Sequence, residues 1–225
     1  MLIYGKQPVY YALDRHNDKI QTLYLAKEID KKEYARLNKM GFALKRIPEN
    51  AAQAMVRGGN HQGFIAEMEP LESYSNVYLK SCEFVVVLSS ITDMGNIGSL
   101  VRSAYALGVD AMVISGIRDP NLETIVRTSS GAALDLPILI VHNVHDVMNE
   151  LKQSGFSLYG AVMDGSDVRN TEFGGKRALI LGNEGEGLSR RVQKGLDHGV
   201  TIRMSHDFDS LNVGVAGAIL MERMR

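Results

Sequence analysis

Apolar residues recur along this chain with two different periods, and the places where the period changes divide it. From residue 82 onward, short apolar runs alternate with amphipathic stretches. The runs at 84–89, 111–115, 138–141, 157–162, 178–181 and 200–204 read as strands. The stretches at 96–107, 122–128, 144–153, 188–196 and 211–224 carry apolar residues at three- and four-residue spacing and read as helices. Phe84-Val85-Val86-Val87-Leu88 shows no polar alternation at all. A strand of that kind is buried on both faces, which implies a mostly parallel sheet covered by helices on both sides.

Residues 1–68 have a tighter α/β pattern. A helix over 4–15, a strand over 20–26, a charged helix over 31–40 ending at Gly41, a strand over 43–47, a short helix over 49–55 and a closing strand over 63–68 follow from the spacing. Arg57-Gly58-Gly59-Asn60-His61-Gln62-Gly63 reads as a flexible basic loop. Residues 69–81 lose periodicity and turn polar, as a linker does. The expected organisation is a small α/β domain at 1–68, a linker at 69–81 and a larger α/β domain at 82–225. No internal repeat or low-complexity tract interrupts it.

Composition narrows the class. At 225 residues, 45% hydrophobic and 23% charged, the chain has ordinary values for a globular protein. No run approaches the roughly 18 apolar residues of a membrane span, so no membrane partner is expected. The N-terminal residues lack a charged segment followed by a long apolar one, the mark of a secretion signal. The single Cys82 excludes an intrachain disulfide and a cysteine metal cluster, and beside Phe84 it reads as a buried thiol. His61 has no second ligand at suitable spacing and the other histidines are scattered, so no metal is expected. A reduced, cytoplasmic setting follows from this cysteine usage.

The net charge of −1 hides an asymmetry. Residues 1–68 hold 11 Lys and Arg against 7 Asp and Glu, whereas 69–225 hold 14 against 19. A basic front and an acidic back suit an RNA-anchoring module joined to a catalytic one, and equally suit chance variation in a solvated surface.

Three polar, glycine-bearing segments lie beside strands, an arrangement expected of one ligand site in an open α/β sheet. The first, Asp93-Met94-Gly95-Asn96-Ile97-Gly98, opens a helix that carries Arg102 beside an apolar stripe. Gly95 and Gly98 permit close approach of another backbone. Arg102 is either a functional cation near a surface or half of a structural ion pair. The second, Gly182-Asn183-Glu184-Gly185-Glu186-Gly187, follows a strand. Its two carboxylates repel a phosphate, so it suits a ligand with donors, or it is a glycine-rich turn and nothing more. The third is Ser210-Leu211-Asn212-Val213-Gly214. Ser210 is a plausible helix N-cap, and Asn212 should have a partner for its amide. Thr128-Ser129-Ser130-Gly131 is a helix end whose hydroxyls either face a ligand or simply cap the helix.

Together these segments make the chain resemble the SpoU (TrmH-type) family of RNA ribose 2′-O-methyltransferases, of the SPOUT superfamily. The family's first motif is similar to Asp93 through Ala104, its second to Gly182-Asn183-Glu184-Gly185, and its third to Ile202-Arg203-Met204 followed by Ser210-Leu211-Asn212-Val213. The front of the chain, opening with Ile3-Tyr4-Gly5 and closing with His61-Gln62-Gly63, is similar to the RNA-recruiting domain of the branch that modifies a 23S ribosomal RNA guanosine. The resemblance covers nearly the whole chain. It implies a homodimer, a C-terminal trefoil knot that the usual rules of chain connection would not suggest, and S-adenosylmethionine as methyl donor. It implies that Gly182, Asn183, Ile202, Met204 and Leu211 meet the cofactor, and that Asn96, Arg102, Glu184, Ser210 and Asn212 form the catalytic set. Met94 and Arg203 stand where the family usually has proline, and Gly214 where it usually has serine. A guanidinium rarely yields its proton, so gripping a phosphate or stabilising charge suits Arg102 better than acting as base. Competing readings are a transfer-RNA methyltransferase of the same family, a non-catalytic RNA-binding protein with this fold, and a Rossmann nucleotide enzyme. The last lacks the G-x-G-x-x-G turn it needs.

Overall fold

The first element is one that the periodicity hides. In the computed structural model, which describes residues 1–206 and 210–225, Leu2–Tyr4 forms a short strand, β1. The helix expected to begin at residue 4 instead begins after Gly5, as α1 (Lys6–Arg15). Gly5 has φ +100°, a conformation that glycine adopts without strain, and it makes the corner between strand and helix. The remaining elements of this half are β2 (Ile20–Leu25), α2 (Lys31–Leu37), β3 (Ala43–Arg46), α3 (Glu49–Met55) and β4 (Phe64–Met68). Their sheet has the order β1-β4-β2-β3, with β4 antiparallel to both neighbours and β3 parallel to β2. The loop 57–63, expected to be flexible, is anchored by His61. That ring is 2% exposed, accepts the Gly63 N–H on Nδ1 at 3.0 Å, and sets Nε2 3.0 Å from the Glu49 carboxylate.

A 3-10 turn at Asn76–Ser81, with Leu79 buried, leads into the second sheet. Its strands are β5 (Phe84–Ser89), β6 (Ala111–Ser115), β7 (Ile138–Val141), β8 (Ser157–Asp167), β9 (Arg177–Leu181) and β10 (His198–Thr201). The order is β10-β8-β9-β5-β6-β7, and every pairing is parallel, as the apolar runs require. Among the described residues five helices alternate with the strands: α4 (Met94–Ala106), α5 (Leu122–Thr128), α6 (Val144–Gln153), α7 (Arg190–Lys194) and α8 (Val213–Met224). The fully buried Val86 and Leu88 of β5 pack with Ile97, Leu100 and Val101 of α4 and with Leu220 and Met221 of α8. Val85 and Val87 of the same strand join Val147 and Leu151 of α6. Each such side chain contributes about 1.5–3 kcal/mol by leaving water.

Two elements depart from expectation in ways that shape the site. The helix expected over 188–196 is only five residues long, starting after Ser189, whose Oγ accepts the Val192 N–H at 3.3 Å, and ending at Gly195. Strand β8 runs to Asp167, five residues beyond the expected end. It pairs with β10 at Tyr159 and Gly160, leaves the ladder, and rejoins at Ser166 and Asp167. Residues 161–165 form the excursion between those pairings.

Candidate active site

The site lies at the carboxyl ends of β5 and β9 and beyond β10, where an open parallel sheet offers a crevice. At the first of these, Asp93 caps α4 by accepting the Asn96 backbone N–H at 2.7 Å. The helix then runs close against α5, because a Cβ on Gly98 would stand 1.9 Å from Thr128 Oγ1. The Thr128 hydroxyl lies within 3.0 Å of the Met94 carbonyl and 2.8 Å of the Thr124 carbonyl, so it serves the helix ends and not a ligand. Gly95 has no such neighbour; its Cβ would meet only the Asp93 side chain of its own cap.

The loop after β9 folds upon itself. A Cβ on Gly182 would come 2.2 Å from the Gly187 carbonyl carbon, and backbone atoms cannot yield by that much. Asn183 Oδ1 accepts the N–H groups of Gly185 at 3.1 Å and Glu186 at 2.7 Å, and its carbonyl accepts that of Gly187 at 3.0 Å. The side chain of Asn183 therefore organises its own loop. This arrangement delivers Glu184 toward the two helix starts.

Glu184 Oε1 accepts Asn96 Nδ2 at 3.1 Å, Asn212 Nδ2 at 2.6 Å and the Val213 N–H at 3.3 Å. Asn212 Nδ2 also donates to Asn96 Oδ1 at 3.0 Å. Three loops, the outer two 116 residues apart in the chain, thus close on one carboxylate, whose negative charge suits the first turn of α8. Asn212, not Ser210, is the N-cap of that helix, since its Oδ1 accepts the Gly214 N–H at 2.9 Å. The partner that the Asn212 amide requires is Glu184 together with Asn96. Ser210 is exposed two residues earlier and lines the adjoining cavity.

That cavity, of about 350 Å³, is walled by Ala161, Val162 and Met163 of the β8 excursion, by Ile202 and Met204 after β10, and by Leu211 before α8. The chain leaves the sheet ladder after Thr201, so the backbone groups of 202–204 are not committed to strand pairing. An apolar slot with backbone polar groups along one rim suits a flat heteroaromatic ring with donors and acceptors on its edge. Ile202, Met204, Ser210 and Leu211 line it, whereas Gly182 and Asn183 do not. The β8 wall escaped the sequence reading, because nothing in Ala161-Val162-Met163 distinguishes a site wall from an ordinary strand end. Arg102 stands apart from both features. It is exposed on α4, donates from Nη1 to Ser130 Oγ at 3.3 Å, and makes no hydrogen bond to Glu184 within the chain.

Gly182→Ala carries a clear expectation. The added methyl cannot be housed without moving 187–188, so the loop should open and withdraw Glu184 from α8. Affinity for the occupant of the cavity should fall about tenfold by calorimetry, although Gly182 does not face it.

Residues 83–222 match the family model described as the SpoU rRNA Methylase family, and residues 2–74 match that for RNA 2′-O ribose methyltransferase substrate binding. The 23S rRNA (guanosine-2′-O-)-methyltransferase RlmB of Yersinia pestis is 30% identical over 100% of this chain and 96% of its own length. Its Escherichia coli counterpart is 28% identical over 100% and 98%. Among solved structures, the SpoU methyltransferase AviRb of Streptomyces viridochromogenes in complex with AdoMet superposes with a TM-score of 0.80 at 25% identity, covering 100% of this chain and 88% of that one.

Proposed function

This chain belongs to the SpoU rRNA methylase family and is an S-adenosylmethionine-dependent RNA ribose 2′-O-methyltransferase, and from that premise we propose that its substrate is a guanosine of 23S ribosomal RNA. The observation that carries the narrower reading is the full-length likeness to RlmB enzymes, which includes the substrate-binding half of the chain. In the same proposal residues 1–68 form the RNA-presenting domain, 69–81 the linker and 82–225 the catalytic domain.

The cavity fits the proposed cofactor. Its apolar walls suit an adenine ring, the free backbone edge at 202–204 suits the ring's amine and nitrogens, and Leu211 closes one side. Gly182 and Asn183 support the pocket by shaping the loop beside it. When bound, S-adenosylmethionine supplies a methyl group made electrophilic by its sulfonium. The work left to the protein is alignment and charge stabilisation. Asn96, Glu184 and Asn212 hold the three loops in register, Ser210 offers a hydroxyl at the rim, and the exposed fork of Arg102 grips a phosphate of the RNA.

A second copy of the chain completes the proposal. Val215 and Ile219 lie one turn apart on α8 and are 50% and 37% exposed, with Met204 and Met163 also bare. Apolar side chains so placed at a site's edge suit burial against a twin surface. The dimer would bring the Arg102 of one copy to the cavity of the other, which answers its distance from Glu184. The C-terminal trefoil knot belongs to the same reading. Among the described residues no helix is long and apolar enough to cross a membrane, and none of the His, Cys, Asp and Glu residues gather into a metal-holding group.

The test is transfer of labelled methyl from S-adenosylmethionine to unmodified 23S ribosomal RNA and, in parallel, to unmodified transfer RNA. Label on a single 23S guanosine is expected. Label on transfer RNA alone would replace the substrate assignment and leave the chemistry intact.

A further inference from the structure

The two halves of the chain meet along a seam that reaches the candidate site from behind. On one side is α1, and on the other is the turn at 128–136 that joins α5 to β7. The centre of the seam is Asp135. Its Oδ2 accepts the hydroxyl of Tyr11 and, at 3.0 Å, that of Tyr105, and pairs with Arg15 Nε at 2.9 Å. His16 Nε2 comes within 2.9 Å of Oδ1 but makes no hydrogen bond to it. Tyr11 and Arg15 belong to α1 and His16 is its C-cap, whereas Tyr105 belongs to α4.

The same turn holds Arg102. Ser130 receives the guanidinium, and Tyr105 lies three residues after Arg102, on the same side of α4. The turn is thus tied to α4 at three points, Thr128 to Met94, Arg102 to Ser130 and Tyr105 to Asp135. It is tied to α1 through Asp135 as well. The backbone between these points is unusual. Ser130 has φ +58° and Gly131 φ +98°, two consecutive residues in the left-handed region. A side chain on Gly131 would also strike Tyr11, whose Cβ and Cγ would lie 2.7 Å from the new atom. Glycine is needed here twice, for its backbone and for the room it leaves to α1. A strained turn of this kind persists only when its surroundings hold it. Burial, together with the Asp135 carboxylate, pushes the Tyr11 phenol far up. Burial would raise Asp135 as well, but the two tyrosine hydroxyls and the neighbouring cations outweigh it and hold that carboxyl below its usual range. The cluster therefore stays an anion gripped by protonated hydroxyls.

We infer that Asp135 and Tyr11 are positioning residues for the reaction: the docking of α1 on the 130–135 turn sets the place of the Arg102 guanidinium. The inference rests on the assignment of Arg102 to the site. It gives the first half of the chain a second task, since the half that presents RNA also braces the arginine.

Other contacts hold the seam when this one is altered. The Leu2 N–H donates to Glu123 Oε1 at 2.7 Å, and Arg127 lies over the Tyr4 ring at 5.5 Å. Tyr11→Phe and Asp135→Asn, both near-isosteric, should therefore leave the halves docked. Three quantities decide the matter in the full chain: kcat and KM for methyl transfer to RNA, S-adenosylmethionine affinity by calorimetry, and hydrogen exchange of the amides of 128–136. Both variants should lower kcat about tenfold, because a displacement of about an ångström at a reacting centre can cost more than that. Cofactor affinity should change by less than about twofold, and exchange in the turn should quicken. Glu123→Gln, which loosens the seam at its far end, should leave kcat unchanged. Wild-type kcat in both variants would overturn the inference and leave the functional reading standing. An equal fall in Glu123→Gln would overturn it too, by showing that any loosening of the seam suffices. If the wild-type chain bound the cofactor and methylated no RNA, the functional reading would fall first and the inference with it.

Discussion

Arg102→Ala should lower methyl transfer by about a thousandfold or more while the protein remains folded. The side chain is exposed and its one hydrogen bond among the described residues goes to a serine hydroxyl, so stability should change by no more than about 0.5 kcal/mol. The loss must then come from the reaction. Removing a single preorganised donor from a site of developing charge costs about 10²–10³ in rate, and a guanidinium supplies more than one donor. Arg102→Lys separates charge from shape. An ammonium keeps the charge and loses the planar fork, and it should restore about a hundredth to a tenth of the activity. Full activity in Arg102→Lys would rule out recognition by the fork. Single-turnover transfer to saturating RNA, with melting temperature measured alongside, separates these outcomes.

Glu184→Ala should lower kcat by about a hundredfold with a modest loss of stability. Glu184 Oε1 joins Asn96, Asn212 and the first N–H of α8, and nothing else among the described residues ties those three loops at one point. Asn212 is exposed and Asn96 half-buried, so water can reach the two amides it leaves, whereas the N–H it leaves belongs to the buried Val213; the stability cost should be about 1 kcal/mol, the size of a lost helix cap. Alignment is more demanding than stability, because loops free to move by an ångström no longer present the site. Glu184→Gln keeps an oxygen for the donors but gives up the charge that strengthens each bond, so it should fall between alanine and wild type. A Glu184→Ala enzyme with unaltered kcat would show that the carboxylate serves the fold alone.

The hydrophobic pattern carried most of the large sheet. A run such as 84–88, apolar at every position, can only be a strand buried on both sides, and the parallel order follows from that burial. It failed at β1, where three residues give too short a record for either period and the apolar face of α1 runs straight on from them. It failed again beyond residue 162, where β8 leaves and rejoins its partner, since an excursion set by contact with β10 has no local signature. A Cβ on Gly165 would lie 2.6 Å from the Val200 backbone, a constraint visible only once both strands are in place. At the site, residue type was informative where it was costly. An amide at the start of an apolar helix needs a partner, which pointed to Asn212, and that partner is Glu184. Gly182 and Asn183, which the resemblance implied as cofactor contacts, also build their own loop, a role that only the folded chain displays. Asp135 carried no signal at all, because its four partners are scattered along α1 and α4 and only the folded seam gathers them.

The strand order has a consequence for how the chain is made. Strand β5 sits in the middle of the large sheet, flanked by β6 just downstream and by β9, which leaves synthesis roughly ninety residues later. Until β9 arrives, one full edge of Phe84-Val85-Val86-Val87-Leu88 has no ladder partner. An apolar, unpaired edge of that length is a template for pairing with other chains. Sheets built from such distant, parallel pairings also form slowly, because the loop must close before any contact rewards it. A nascent chain halted before residue 177 should therefore be a strong client of ribosome-associated chaperones, and release past residue 181 should end that dependence.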